Sequence, residues 1–270
     1  MASRARPHRP RQRFGQHFLH DAGVIRQILE VVQAQPGELL VEIGPGLGAL
    51  TRPLLVAVGR LQAVELDRDL IPRLETRCRG LGELQLYQAD ALYFNFAALR
   101  QDERKLRLVG NLPYNIATPL LFHLLAQTGS IQDMHFMLQK EVAERLAAGP
   151  GQGAYGRLSV MVQYRCQIAL LFTIGPDAFS PPPQVESAFV RLLPRAKPPV
   201  AVGDERDFAR LVRQAFSQRR KTLRNTLTGL LTPASIQAAG IDPGVRPETL
   251  GLAEFAALSR QLAGEHRQNR

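Results

Sequence analysis

Three short segments hold the residue types whose spacing could carry chemistry. In the first, Glu38-Leu-Leu-Val-Glu-Ile43 reads as a strand that runs directly into Gly44-Pro-Gly46-Leu-Gly48 and then a helical pattern. Glycines at such a turn let the backbone approach a ligand closely, and the helix beyond offers unpaired N–H groups. A second strand, Leu61-Gln-Ala-Val-Glu65, ends in a carboxylate 21 residues after Gly44. That is where nucleotide folds set the acid that grips ribose hydroxyls. The spacing is GxGxG rather than GxGxxG, and Pro45 has no N–H for a pyrophosphate, so an adenosine without phosphates suits the turn better than a dinucleotide. Gly44, Gly46 and Glu65 are therefore candidate ligand contacts. Asp90, closing a third strand in Gln88-Ala-Asp90, is a candidate acceptor for an adenine amino group. Each has a structural alternative: the glycines serve packing, and Asp90 caps a following helix.

The second segment is Gly110-Asn111-Leu112-Pro113-Tyr114, at the end of a fourth strand. An exocyclic amine on a nucleobase is a poor nucleophile because its lone pair is delocalised into the ring. Acceptors placed around that nitrogen favour a pyramidal geometry, and the Asn111 side-chain oxygen with the Leu112 or Pro113 carbonyl can supply them. Tyr114 offers a face on which to stack the base. In the third segment Phe179 precedes the stiff run Ser180-Pro-Pro-Pro183 and is expected as the opposite wall of that stack. The alternatives are a proline that ends a strand, a tyrosine that fills core and an ordinary loop phenylalanine.

The elements that must position these residues follow from periodicity. Short β-branched or Leu-rich runs at 38–43, 60–65, 84–88, 106–110, 132–139, 167–174 and 185–193 alternate with helical patterns, the signature of βαβ units. The last two lack a helix-length connection and are expected to pair antiparallel. The fold class is α/β: a mostly parallel, Rossmann-like seven-stranded sheet with an antiparallel edge pair, plus a small all-α C-terminal domain. Asp21 is placed to cap a helix whose Val24, Ile25, Ile28, Leu29 and Val32 share one face. The proline-rich stretch 194–203 reads as a linker. The division is a flexible basic arm at 1–13, a catalytic domain at 14–195 and a helical domain at 204–270.

The charge is regional. The chain has 270 residues and a net charge of +10, from 34 basic and 24 acidic residues, which points to a polyanionic partner. Residues 1–13 hold five arginines and no acid. A second cluster, Arg210, Arg213, Arg219, Arg220, Lys221 and Arg224, has no acid between 208 and 230 and lies on a segment of helical spacing. Such clustering suits phosphate binding better than a solvated face. No apolar run approaches the roughly 18 residues a membrane helix requires, and no secretory signal is recognisable. Cys78 and Cys166 have no partner at metal-ligand spacing. A reducing, cytoplasmic setting without zinc or disulfides is expected.

At these residues the sequence resembles a known family. Phe14-Gly-Gln-His-Phe-Leu-His-Asp21, Glu42-Ile-Gly-Pro-Gly-Leu-Gly48, Val64-Glu-Leu-Asp67, Asn111-Leu-Pro-Tyr114, Phe179-Ser-Pro-Pro-Pro-Gln-Val-Glu-Ser187 and Gln218-Arg-Arg-Lys-Thr-Leu-Arg-Asn225 occur in the order found in the ribosomal RNA adenine dimethyltransferases. The likeness runs from 13 to about 260 and is greatest to the bacterial small-subunit (16S) branch. It implies a class I methyltransferase fold, S-adenosyl-L-methionine as donor, and two adjacent adenosines in the 3′-terminal hairpin loop of 16S rRNA as substrate, each receiving two methyl groups.

The resemblance also implies roles. His17, Leu19, Gly44, Glu65, Asp90 and Asn111 contact the cofactor, Asn111 and Pro113 orient the amine, and Tyr114 and Phe179 sandwich the adenine. The family more often carries Asn at position 17, so the His17 contact is expected through its backbone. Arg219, Arg220, Lys221 and Arg224, with Arg157 after a Gly-rich stretch, are expected to grip rRNA. No metal, no membrane and a monomer are expected. The alternatives are a large-subunit (23S) enzyme of the same family and a chiefly non-catalytic assembly factor. An NAD-dependent oxidoreductase would leave Asn-Leu-Pro-Tyr and the basic cluster without a task.

Overall fold

Apolar runs of five to nine residues, separated by helical segments, wind into one sheet in the computed structural model, which describes residues 16–268. The basic segment at 1–13 lies outside the described residues. In chain order the elements begin with β1 (Phe18–Leu19), α1 (Ala22–Val32), β2 (Leu39–Ile43), α2 (Thr51–Val58), β3 (Arg60–Glu65), α3 (Ile71–Cys78) and β4 (Glu83–Gln88). They continue with β5 (Leu106–Asn111), α4 (Ala117–Leu125), β6 (Ile131–Gln139), α5 (Lys140–Ala147), α6 (Arg157–Arg165) and β7 (Cys166–Ile174). The last are β8 (Phe179–Ser180), β9 (Ser187–Pro194), α7 (Glu205–Ala215), α8 (Leu223–Thr226), α9 (Pro233–Ala238) and α10 (Leu252–Gln268).

The seven-stranded sheet has the order β4-β3-β2-β5-β6-β9-β7. Pairs β3–β4, β2–β3, β2–β5 and β5–β6 are parallel, and β9 runs antiparallel to β6, with Phe136 opposite Val190. β9 lies between β6 and β7, so the last two strands are hydrogen-bonded neighbours as their short connection implies, and β9 also pairs with β6. β1 and β8 form a separate two-stranded antiparallel pair. Asp21 caps α1 as its sequence implies, its side chain accepting from the Val24 N–H at 2.8 Å.

By their contacts the described residues divide into two compact units, one comprising those through Lys140 with Ala169–Leu193, the other Glu141–Ile168 with those from Pro194 onward. In the first, Leu40, Leu54, Leu55, Leu61 and Phe189 are almost wholly buried in one apolar cluster. Each contributes about 2 kcal/mol by burial. At the N-terminal ends of the parallel strands, buried Arg107 donates to both Asp133 oxygens, to Glu38 at 2.7 Å and to the Val32 carbonyl at 2.7 Å. This network ties α1, β5 and β6 together at the end of the sheet away from the strand C-termini.

The second unit is helical. Phe208, Leu211, Val212, Phe255 and Leu258 form its core, and Tyr155, Val160 and Tyr164 join them. The boundary drawn near 195–203 leaves 141–168 with the sheet, whereas these residues pack in the helical unit. The reason is the choice of apolar partner: the Tyr164 ring lies 4.8 Å from that of Phe208, and the Tyr155 hydroxyl donates to the Leu250 carbonyl at 2.8 Å. No helix among the described residues is long and apolar enough to cross a membrane.

Candidate active site

An open α/β sheet presents ligand groups where its parallel strands end. The C-terminal ends of β2, β3, β4 and β5 here surround a cavity of about 330 Å3. The turn after β2 puts Gly46 at φ 58, a conformation that side chains rarely adopt, and a Cβ there would stand 3.1 Å from the Phe18 ring. The Gly46 N–H donates to Glu65 Oε2 at 3.1 Å and the Asp67 N–H to Oε1 at 2.8 Å. Each carboxylate oxygen is held by one N–H and keeps a lone pair for a hydroxyl donor. Burial raises the Glu65 pKa, and the backbone bonds from Asp67 and Gly46 oppose the rise. Asp90 lines the same cavity while its Oδ1 accepts the Leu92 N–H at 2.9 Å, so its local turn role and its place on the wall coexist.

Asn111 is oriented by a contact that its sequence neighbours do not reveal. Its Nδ2 donates to the His17 carbonyl at 2.8 Å, and only the amide nitrogen can donate to a carbonyl. The side-chain oxygen is therefore left as an acceptor on the cavity wall. Pro113 O accepts the Ile116 N–H at 3.1 Å and keeps a second lone pair, and the Leu112 N–H donates to Met137 O at 3.2 Å. Leu112 and Pro113 both line the cavity beside Asn111.

The aromatic pair differs from expectation. Tyr114 lines the cavity, its hydroxyl 2.7 Å from Ser187 Oγ. Phe179 does not: it is 2% exposed and packed in the apolar cluster with Leu19 and Phe189. The cause is register. β8 pairs with β1 so that Phe179 lies opposite Leu19, and the ring turns into the core. Phe179 thus anchors the segment carrying His17 and Leu19, and is no wall of the cavity. The ring stacked on Tyr114 is His17, with centroids 5.5 Å apart and Nδ1 donating to the Pro181 carbonyl at 2.7 Å. His17 therefore contributes its side chain as well as its backbone.

Among the described residues the cavity wall carries Glu42, Glu65 and Asp90 but no lysine or arginine. In a chain of net charge +10, the cavity is a locally acidic site that disfavours phosphates and favours a cation. Glu42 opens the motif Glu42-Ile-Gly-Pro-Gly-Leu-Gly48 without an expected role, and is the charged residue inside an otherwise apolar strand. Among the described residues no group of three or more His, Cys, Asp or Glu side chains is arranged around a metal position.

In the helical unit, Arg219, Arg220, Lys221 and Arg224 are exposed. The cluster does not sit on one helix: α7 ends at Ala215, a turn carries Arg219 to Lys221, and Arg224 is in α8. Arg157, at the start of α6, has its pKa lowered by burial and by the charge of Arg213. Like charges held side by side favour an anionic partner.

A seven-stranded sheet of this order, with a glycine turn and an acid at adjacent strand ends, defines a Rossmann-like α/β protein with a nucleoside-type site. The chain belongs to the ribosomal RNA adenine dimethylase family, whose profile matches residues 7–263. It is 58% identical over 258 residues to ribosomal RNA small subunit methyltransferase A of Pseudomonas fluorescens, covering 96% of each chain. In fold it is similar to a dimethyladenosine transferase from Plasmodium falciparum, with TM-score 0.79, 24% identity and 93% and 98% of the two chains covered. It is likewise similar to the 23S rRNA methyltransferase ErmE, with TM-score 0.69, 23% identity and 91% and 99% covered.

Proposed function

We propose that this enzyme transfers methyl groups from S-adenosyl-L-methionine to N6 of two adjacent adenosines in the 3′-terminal hairpin loop of 16S rRNA, giving N6,N6-dimethyladenosine at each. The observation that carries the reading is the amine clamp: Asn111, fixed by the His17 carbonyl, beside the Leu112 and Pro113 backbone and the Tyr114 ring. The small-subunit substrate is favoured over the large-subunit one by the 58% identity to a small-subunit enzyme against 23% to a 23S enzyme. Action on the ribosomal subunit implies a cytoplasmic enzyme with rRNA as partner.

The residues present fit the donor. Glu65 is placed to accept from ribose hydroxyls and Asp90 from the adenine amino group, Gly44 and Gly46 let the backbone approach, and Leu19 contributes apolar wall. When bound, S-adenosyl-L-methionine supplies a sulfonium methyl group that passes to the amine as its C–S bond breaks. The chain's own residues hold the target. Asn111 Oδ1 and the Leu112 or Pro113 carbonyl accept from the two N–H bonds of the adenine amine and draw its lone pair out of conjugation. Tyr114 stacks the base after it leaves its helix. No side chain needs to act as base during attack, because the methylated ammonium is acidic enough to lose its proton to water.

Two results test the parts separately. Glu65→Ala is expected to weaken S-adenosyl-L-methionine binding on the order of 10- to 100-fold, since a charged acceptor for two hydroxyls is removed. Unchanged affinity in calorimetry would remove Glu65 from the site. Arg219, Arg220 and Lys221 changed together to Glu should lower affinity for the small subunit. The salt dependence should flatten by roughly 0.7 to 0.9 in log–log slope for each phosphate that the variant no longer neutralises. Identical binding across a salt series would return these residues to a solvated face.

A further inference from the structure

Glu42 stands in β2 between buried Val41 and Ile43, and its side chain is 2% exposed although it forms part of the cavity wall. Among the described residues its Oε2 meets no well-formed hydrogen-bond donor, and the Thr51 hydroxyl, the one neutral donor near the carboxyl, is itself poorly aligned with it. The polar groups that face it are Thr51 from α2, Glu65 from β3 and Cys78 from α3. Arg52 and Arg77 bear on Cys78 rather than on Glu42. None of these is a cation that would balance a negative charge at Glu42. Burial, opposed in part by the Thr51 hydroxyl and reinforced by the Glu65 charge, pushes its carboxyl up to about 8. A buried carboxylate without a partner is costly, and a cation entering the cavity is the partner that the protein itself does not provide.

We propose that Glu42 is a proton-linked counter-charge for the cationic methyl donor, uncharged while the cavity holds no cation and ionised once one is bound. The inference rests on S-adenosyl-L-methionine being the donor, whose sulfonium and ammonium outweigh its one carboxylate. Binding then expels the Glu42 proton to solvent, and the carboxylate formed balances the donor's net positive charge. The sign follows: below a pH of about 8 the proton competes with the donor, so affinity rises with pH and levels off above it.

Calorimetry of S-adenosyl-L-methionine binding in buffers of different ionisation enthalpy tests this with the full-length protein. At neutral pH the wild type should release a proton count approaching one per donor bound. Its affinity should rise by up to about tenfold per pH unit below the plateau. Glu42→Gln, an isosteric change, should release no proton, show a flat pH profile and bind more weakly than wild type on the alkaline plateau. A buffer-independent enthalpy with a flat wild-type profile would overturn the proposal, as would proton release that persists in Glu42→Gln. Failure of the wild type to bind the donor at any pH would overturn the functional reading and this inference with it.

Discussion

Replacing Asn111 with alanine is expected to lower methyl transfer to undermethylated small subunits by about two to three orders of magnitude. Donor binding should change only severalfold. The magnitude is that of removing one preorganised polar partner from a group whose charge changes in the transition state. The separation arises because the side-chain oxygen is aimed at the acceptor amine, whereas ribose and adenine of the donor fall to Glu65 and Asp90. Asn111→Asp sharpens the test. It keeps an acceptor but sets a carboxylate oxygen against the His17 carbonyl in place of the 2.8 Å Nδ2 contact. If orientation by His17 matters, this variant should also fall well below wild type. Single-turnover transfer of labelled methyl groups, with calorimetry for the donor, reads both quantities. Near-normal methylation by Asn111→Ala would remove the amine clamp from the mechanism.

The largest effect on stability is expected at the other end of the sheet. Asp133→Ala removes the bidentate partner of Arg107, which is 7% exposed, and leaves its charge buried with only Glu38 and a carbonyl to compensate. Breaking a buried pair from one side costs about 3 kcal/mol or more. For a chain of this size that corresponds to a fall in Tm on the order of 10 °C. The network joins α1, β5 and β6 at their ends away from the cavity, so donor affinity of the folded protein should be unaltered. Thermal unfolding with and without donor measures both. An unchanged Tm would show that the pair contributes no net stability, and an abolished donor affinity would show that the two ends of the sheet are not independent.

The parts of the site legible in sequence are those compressed into single turns. The glycines at 44 and 46, Glu65, Asp90 and the run Asn111 to Tyr114 each close a strand, and strand ends of one sheet meet in space because parallel pairing aligns them. What was not legible depends on contacts between distant segments. The His17 carbonyl holds Asn111 from 94 positions away, and nothing in either motif announces it. Phe179 reads as a wall because it is aromatic and followed by prolines. Its side is set by the register of two-residue strands, too short to show any alternation. The helices at 141–168 show apolar faces, but periodicity does not say which core a face joins. The basic cluster lies on a segment of helical spacing, and spacing alone does not show that the chain turns after Ala215 and resumes as a helix at Leu223.

Substrate and product are read together in a single experiment. The enzyme is incubated with labelled S-adenosyl-L-methionine and undermethylated small subunits, and the modified nucleosides are mapped by mass along the rRNA. The expected result is N6,N6-dimethyladenosine at two adjacent positions in the 3′-terminal hairpin loop of 16S rRNA and at no other site. Label confined to large-subunit rRNA, methylation at an atom other than adenine N6, or small subunits that bind the enzyme yet gain no methyl group would contradict it.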